Sequence, residues 1–185
     1  MVMVTGVGLM TSTYALTKSV LQHYPDLIIQ GGIAGTLDNN LSLGHVVAVK
    51  NETVGDLGVQ EGLNFQSLFE LKLLSSDIDP WRDGLLTNEN EILHKTGLPV
   101  VDGVTVNEIS TNEETITYYR EKLSAQIETM EGAALHYVGL MEKIPFVQIR
   151  SLSNFIGERN KDKWMMEKAI THLNHELLRI LKDLQ

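Results

Sequence analysis

Short runs rich in β-branched residues alternate with helical patterns along the whole chain, and no other feature limits its possible folds as much. The strand-like runs fall at 1–5, 27–30, 45–50, 84–87, 99–105, 125–129 and 146–152. Helical patterns fall between several of them, at 11–23, 89–95, 112–121, 131–141 and 163–182. The last carries Met166, Ile170, Leu173, Leu177 and Ile180 with charged and polar residues between them, which makes one apolar helical stripe. Alternation of this kind predicts an α/β fold, with crossovers joining the strands of a mostly parallel sheet and helices covering both of its faces. Segment 51–83 is the least regular part. It is too long for an ordinary connection, so it reads either as a functional loop or as structure that periodicity does not reveal. There is no repeat, low-complexity tract or linker, and residues 1–185 are expected to form one domain.

Charge and composition remove several classes of function. A hydrophobic content of 43% with 21% charged residues suits a globular core. The net charge of −9, with no basic cluster beyond the short run at 159–163, argues against a nucleic-acid partner. Without cysteine there is neither a disulfide framework nor thiolate chemistry. No apolar run approaches the roughly 20 residues that span a bilayer, and the start lacks a basic segment before an apolar one, so a cytoplasmic location without membrane contact is expected. His172 and His175 stand three apart on the last helical pattern beside Glu176, but no third ligand is in view; they read as a solvated face, and no metal is expected.

Two segments place polar residues where an α/β sheet binds ligands, beyond the carboxyl ends of strands. In Glu128-Thr129-Met130-Glu131-Gly132-Ala133-Ala134 the carboxylate of Glu131 stands where an extended segment turns into an alanine-rich helix. It is either a favourable acid in a helix's first turn or a ligand-binding group. In Ile149-Arg150-Ser151-Leu152-Ser153-Asn154 a β-branched run ends in small polar residues. Arg150 there is either an ion-paired arginine or an orienting group, and Asn154 either caps a turn or offers a donor and an acceptor at one edge. Gly31-Gly32-Ile33-Ala34-Gly35 ends the second strand-like run. Three glycines in five residues carry an entropic penalty, so they mark a sharp turn or a close approach to the backbone. Gly6-Val7-Gly8 also follows a strand-like run, but Thr11 stands where a dinucleotide fingerprint needs its third glycine, and no NAD or other cofactor is expected.

Taken in order, these segments resemble the nucleoside phosphorylase and nucleosidase superfamily over nearly the whole chain. Gly6-Val7-Gly8 resembles its early glycine turn, and the run from Gly31 to Gly35 its second strand end. Leu43-Gly44-His45-Val46-Val47 is similar to the strand that follows, with His45 where the usual acid stands. Thr105-Val106-Asn107 resembles the base-side segment, Met130-Glu131 the ribose clamp, and Arg150 through Trp164 the base-binding loop and following helix. Within the superfamily, Ser153-Asn154 followed by Gly157 and Arg159 is most similar to the futalosine hydrolases.

The resemblance implies a three-layer α/β sandwich around a twisted, mostly parallel mixed sheet that is partly closed. It implies catalytic roles for Asn154, Glu131 and Arg150, and substrate contacts at Gly8, Gly32, Ile33, Val106, Asn107, Met130 and Ser153. Glu131 would accept both hydroxyls of a ribose diol and set negative charge near the oxocarbenium ion that forms as an N-glycosidic bond breaks. Met130 would give the sugar an apolar floor. Asn154 would donate to O6 of a 6-oxopurine while its carbonyl faces a proton on N7; an aspartate there suits a 6-amino base. The implied activity is release of hypoxanthine from futalosine in menaquinone biosynthesis by a homodimer or larger homo-oligomer. The alternatives are a 5′-methylthioadenosine/S-adenosylhomocysteine nucleosidase, a purine nucleoside phosphorylase, or a nucleoside-binding member without catalysis.

Two departures qualify the resemblance. The chain begins at what resembles the family's second strand, so the first strand, its water-activating glutamate and a hairpin have no counterpart; Glu52 and Asp56 are the acids left to substitute. Ile33 stands where many relatives carry a serine that handles phosphate or water, and no arginine pair accompanies the glycine turns. Ile33 and the missing arginine pair favour hydrolysis over phosphorolysis.

Overall fold

The computed structural model describes residues 1–62 and 64–184, and Leu63 and Gln185 lie outside them. Among the described residues the strands are β1 (Ile28–Thr36), β2 (Val46–Val54), β3 (Gly58–Glu61), β4 (Asn64–Ser67), β5 (Leu86–Thr87), β6 (Val100–Thr105), β7 (Ile127–Thr129) and β8 (Phe146–Phe155). The helices are α1 (Leu9–His23), α2 (Glu91–Lys95), α3 (Glu113–Thr117), α4 (Gly132–Met141) and α5 (Met166–Asp183).

The main sheet runs β5-β2-β6-β7-β1-β8, and β8 pairs again with β2, from Val46 opposite Ser151 to Val49 opposite Gln148. Five strands therefore close into a barrel, with β5 attached to β2. The pairs β1–β8, β2–β6 and β6–β7 are parallel, while β1–β7, β2–β5 and β2–β8 are antiparallel. The expected three-layer sandwich around a mostly parallel, partly closed mixed sheet is thus corrected to an evenly mixed sheet closed fully into a barrel. The length and twist of β2 and β8 account for this, because long twisted strands bring the two ends of a small sheet together. One apolar cluster draws on all five barrel strands: Ala34, Val47, Val49, Val101, Ile127 and Leu152. Outside it, α5 packs through Leu173 and Ile180 against Val147 and Ile149, and α1 meets α4 through Leu16, Val20, Leu135 and Val138.

Three local expectations change as well. Residues 1–5 form no strand; Val2 and Val4 are 98% and 91% exposed. A β-branched run gains nothing from its propensity without a partner for its ladder. The glycines from Gly31 to Gly35 make no turn but lie inside β1, which runs on to Thr36. On α5 the buried stripe takes in Ala169, while Ile170 is 46% exposed. Segment 51–83, apart from Leu63, holds the end of β2 and the β3–β4 hairpin, then turns that carry the buried Trp81 against Phe69.

Candidate active site

A cavity of about 1010 Å³ opens beside β1 and the ends of β7 and β8. Its lining includes Gly32, Ile33, Met130, Glu131, Arg150, Ser153 and Asn154, so seven of the residues singled out in the sequence meet at one place. Gly8 joins them through its backbone: its N–H donates to Glu131 Oε1 at 3.0 Å. Val106 and Asn107 stand apart from this wall. Val106 is fully buried among Leu37, Val104 and Ile116. Asn107 donates from its N–H and its Nδ2 to the Asp56 carboxylate at 2.6 and 3.1 Å.

Glu131 is the N-cap residue of α4, but its side chain makes no capping hydrogen bond. The first N–H groups of α4 are met by threonine hydroxyls instead: Gly132 donates to Thr129 Oγ1 at 3.1 Å and Ala133 to Thr105 Oγ1 at 2.8 Å. That leaves the Glu131 carboxylate for the cavity, where its Oε2 lies 3.8 Å from Arg150 Nη1. Arg150 is buried and also donates from Nη2 to Gln30 Oε1 at 2.8 Å. Burial works against its charge, and Glu131 supports it. The room for this guanidinium comes from Gly32, where a Cβ would stand 2.1 Å from Arg150 Nη1. Asn154 lies within β8. Its Oδ1 accepts from the Ser153 hydroxyl at 2.8 Å, and its Nδ2 donates to Phe155 O at 3.1 Å.

The acids held in reserve for water activation face elsewhere. Glu52 is fully buried in the barrel, accepting from Gln148 Nε2 at 2.9 Å and from Thr105 Oγ1 at 2.8 Å. Burial raises its carboxyl to about 7. Asp56 is engaged with Asn107. Among the described residues no group of three or more His, Cys, Asp or Glu is placed to hold a metal, and His172 Nδ1 lies 2.8 Å from Gly44 O.

Sequence reasoning gave no role to Gln30 or to Glu128. Glu128 lines the cavity with only 5% exposure, in the middle of β7 and two residues before Met130. The available signal was alternation: side chains two apart in an extended run point the same way, so an acid stood on the side where Met130 was expected to touch ligand.

A barrel-cored α/β fold with a carboxylate–arginine pair and an amide around one largely apolar cavity defines a protein that takes a small ligand with both polar and apolar parts. The chain belongs to the phosphorylase superfamily, whose profile matches residues 1–183. It is similar to a futalosine hydrolase of Thermus thermophilus, 29% identical over an aligned length of 182 residues, with 97% of this chain and 80% of that one covered. It is also similar to a 5′-methylthioadenosine/S-adenosylhomocysteine nucleosidase of Maridesulfovibrio salexigens, 25% identical over 97% of this chain and 79% of the relative. Among solved structures, a 5′-methylthioadenosine/S-adenosylhomocysteine nucleosidase of Colwellia psychrerythraea in complex with adenine superposes with a TM-score of 0.81 at 20% identity, over 97% of this chain and 76% of that one. A futalosine hydrolase mutant of Helicobacter pylori gives 0.75 at 14% identity, over 97% and 76%. At these identities the structural matches are likenesses of fold.

Proposed function

We propose that the chain is an N-ribosyl hydrolase that cleaves futalosine to release hypoxanthine. The observation that carries this reading is the Glu131–Arg150 pair facing the same cavity as Asn154. Glu131 accepts the ribose hydroxyls and holds negative charge against the oxocarbenium ion as the glycosidic bond lengthens. Arg150 fixes that carboxylate, Met130 lies under the sugar, and Asn154 donates to O6 of the departing base. The C1′–N9 bond breaks as the oxygen of water bonds to the anomeric carbon, and the proton that water releases balances the one the departing base gains at N7. Hydrolysis is favoured over phosphorolysis because Arg150 is the one Lys or Arg among the described cavity-lining residues, and it is already engaged by Glu131 and Gln30. The Thermus relative supports futalosine in particular, and the Maridesulfovibrio relative supports a methylthioadenosine nucleosidase as the second reading.

Incubation with futalosine, inosine and 5′-methylthioadenosine, each with and without phosphate, separates these readings. Hypoxanthine from futalosine at a rate independent of phosphate is the expected result; adenine from methylthioadenosine in preference would select the second. Asn154→Asp should lose activity on the 6-oxo substrate and gain relative preference for the 6-amino one, read as the ratio of kcat/KM. An unchanged ratio would make Asn154 a structural residue only.

A further inference from the structure

Glu52 is a buried acid that the proposed reaction leaves without a task. Its side chain lies inside the barrel, cut off from solvent, and glycines from two other elements make room for it. A Cβ on Gly132 of α4 would strike Glu52 Oε1 and Gln148 Nε2, and one on Gly103 of β6 would strike the same carboxyl group. Gly132 directly follows Glu131. The barrel's buried acid is therefore packed against the backbone that carries the cavity's carboxylate.

Two routes lead from Glu52 to Glu131. The first is a set of hydrogen bonds. Thr105 Oγ1 lies 2.8 Å from Glu52 Oε2 and accepts from the N–H of Ala133. Thr129 Oγ1, 3.1 Å from Thr105 Oγ1, accepts from the N–H of Gly132. These hydroxyls hold the two residues after Glu131, and Glu52 is their partner on the barrel side. The second route is electrostatic. Two acids support the buried charge of Arg150, Glu131 first and Glu52 second. Its Nη1 faces Glu131 and its Nη2 donates to Gln30, while Nε is buried without a hydrogen-bond partner. One buried cation thus serves two acids, one in the cavity and one in the barrel.

We propose that Glu52 is a positioning residue for the Glu131–Arg150 pair: uncharged it leaves Arg150 to Glu131, and charged it competes with Glu131 for Arg150. This rests on the reading of Glu131 as the group that holds the ribose, and adds what controls its pose.

The surroundings of Glu52 suit that role. Burial holds its carboxyl up at about 7 and the charge of Asp102 works in the same sense, while Gln148, Thr105 and Arg150 oppose them. His136, on α4 near Gln148, is lowered by burial to about 4 and stays neutral. An arginine does not lose its proton in this range. Glu52 therefore changes charge near neutral pH while the cation beside it does not. Coupling of this kind is reciprocal, so Glu52 weakens the hold of Arg150 on Glu131 as far as Glu131 weakens its hold on Glu52.

The test is the pH profile of kcat/KM on both sides of about pH 7 for the wild type and Glu52→Gln. The substrate is whichever of futalosine and 5′-methylthioadenosine the protein cleaves, since both carry the ribose. The wild type should fall by about fivefold or more as Glu52 ionises. Glutamine turns an oxygen to Gln148 and an N–H to Thr105 but cannot ionise. The variant should match the wild type at acid pH and lack the fall. A variant lowered by one factor at every pH, with the fall kept, would make Glu52 structural only, and two identical profiles would remove it from the site; either overturns the inference. Should the variant fail to fold, or neither nucleoside be cleaved, carbon NMR of the carboxyl groups decides. Glu131→Gln leaves Arg150 to Glu52 alone, so the Glu52 midpoint should fall by about one pH unit. An unmoved midpoint overturns the coupling and leaves the ribose reading standing wherever cleavage is seen. A moved midpoint without cleavage keeps the coupling and removes the ribose reading.

Discussion

At Gly32 the absence of one carbon atom decides the shape of the cavity. Arg150 is 3% exposed, and its guanidinium occupies the space that any larger residue at position 32 would fill. Gly32→Ala must push that group off Glu131 and Gln30, and overpacking of this kind costs ~1–3 kcal/mol. Thermal melts should show a Tm lowered by several degrees. Cleavage of futalosine should fall further than the lost stability explains; full turnover by the folded variant would mean that the observed pose of Arg150 is not needed. Glu131→Gln makes the complementary case, because it keeps the shape and removes the charge. It should lower Tm, because the buried Arg150 loses the charge that supports it, and lower kcat/KM by about a hundredfold or more, further than that loss of stability explains. Glu131, Arg150 and Asn154 were legible in the sequence because polar residues at strand ends are unusual enough to stand out. At Gly32 a close approach to the backbone was one of two readings, but its partner, Arg150, was not legible because it lies on another strand. Gln30 and Glu128 were missed because a lone polar residue in a β-rich run does not reveal whether it faces ligand or solvent.

Helix α4 draws its cap from two other strands, and that arrangement frees the residue in front of it. Thr105 of β6 and Thr129 of β7 have hydroxyls 3.1 Å apart, and each accepts an N–H from the first turn of α4. Glu52 of β2 lies beneath them, accepting from Thr105, so the seat of α4 includes a buried acid. Burial lifts this carboxyl from 4.5 to about 7, so folding favours its neutral form. The stabilising contribution is complete below pH 4.5 and is lost as pH rises to about 7, a change of ~3 kcal/mol. Glu52→Gln keeps polar groups toward Gln148 and Thr105 but cannot ionise. Between about pH 4.5 and about pH 7 the wild type should therefore lose stability relative to the variant, read from denaturant midpoints. Parallel curves would place the proton elsewhere. Periodicity found α5 because it is long enough to show one apolar face, whereas α4, buried on most sides, was legible only as an alanine-rich run. Periodicity stopped β2 at residue 50, since Lys50-Asn51-Glu52 reads as a polar loop; the strand continues because Glu52 turns inward to these partners.

The closure of the sheet belongs to the whole molecule and could not be read from any segment, because it depends on β2 meeting β8 across most of the chain. The outer surface poses a related problem. Helix α1 spends one side on α4, through Leu16 and Val20, and leaves Met10, Tyr14 and Leu21 exposed by 85%, 69% and 51%. Spacings of four and seven residues put these three on one stripe of the helix. With a net charge of −9, unspecific association of copies is opposed by mutual repulsion, so self-association requires a defined apolar contact. This stripe has that character, and a two-fold contact would set it against its own copy. We expect a dimer through α1 when light scattering is coupled to size exclusion at tens of micromolar protein. Tyr14→Glu should shift the mass to that of one chain without lowering Tm by more than the lost contact accounts for, since Tyr14 faces away from α4. A wild type that elutes as a monomer across that range would remove the dimer, and a dimer untouched by Tyr14→Glu would move its interface off α1.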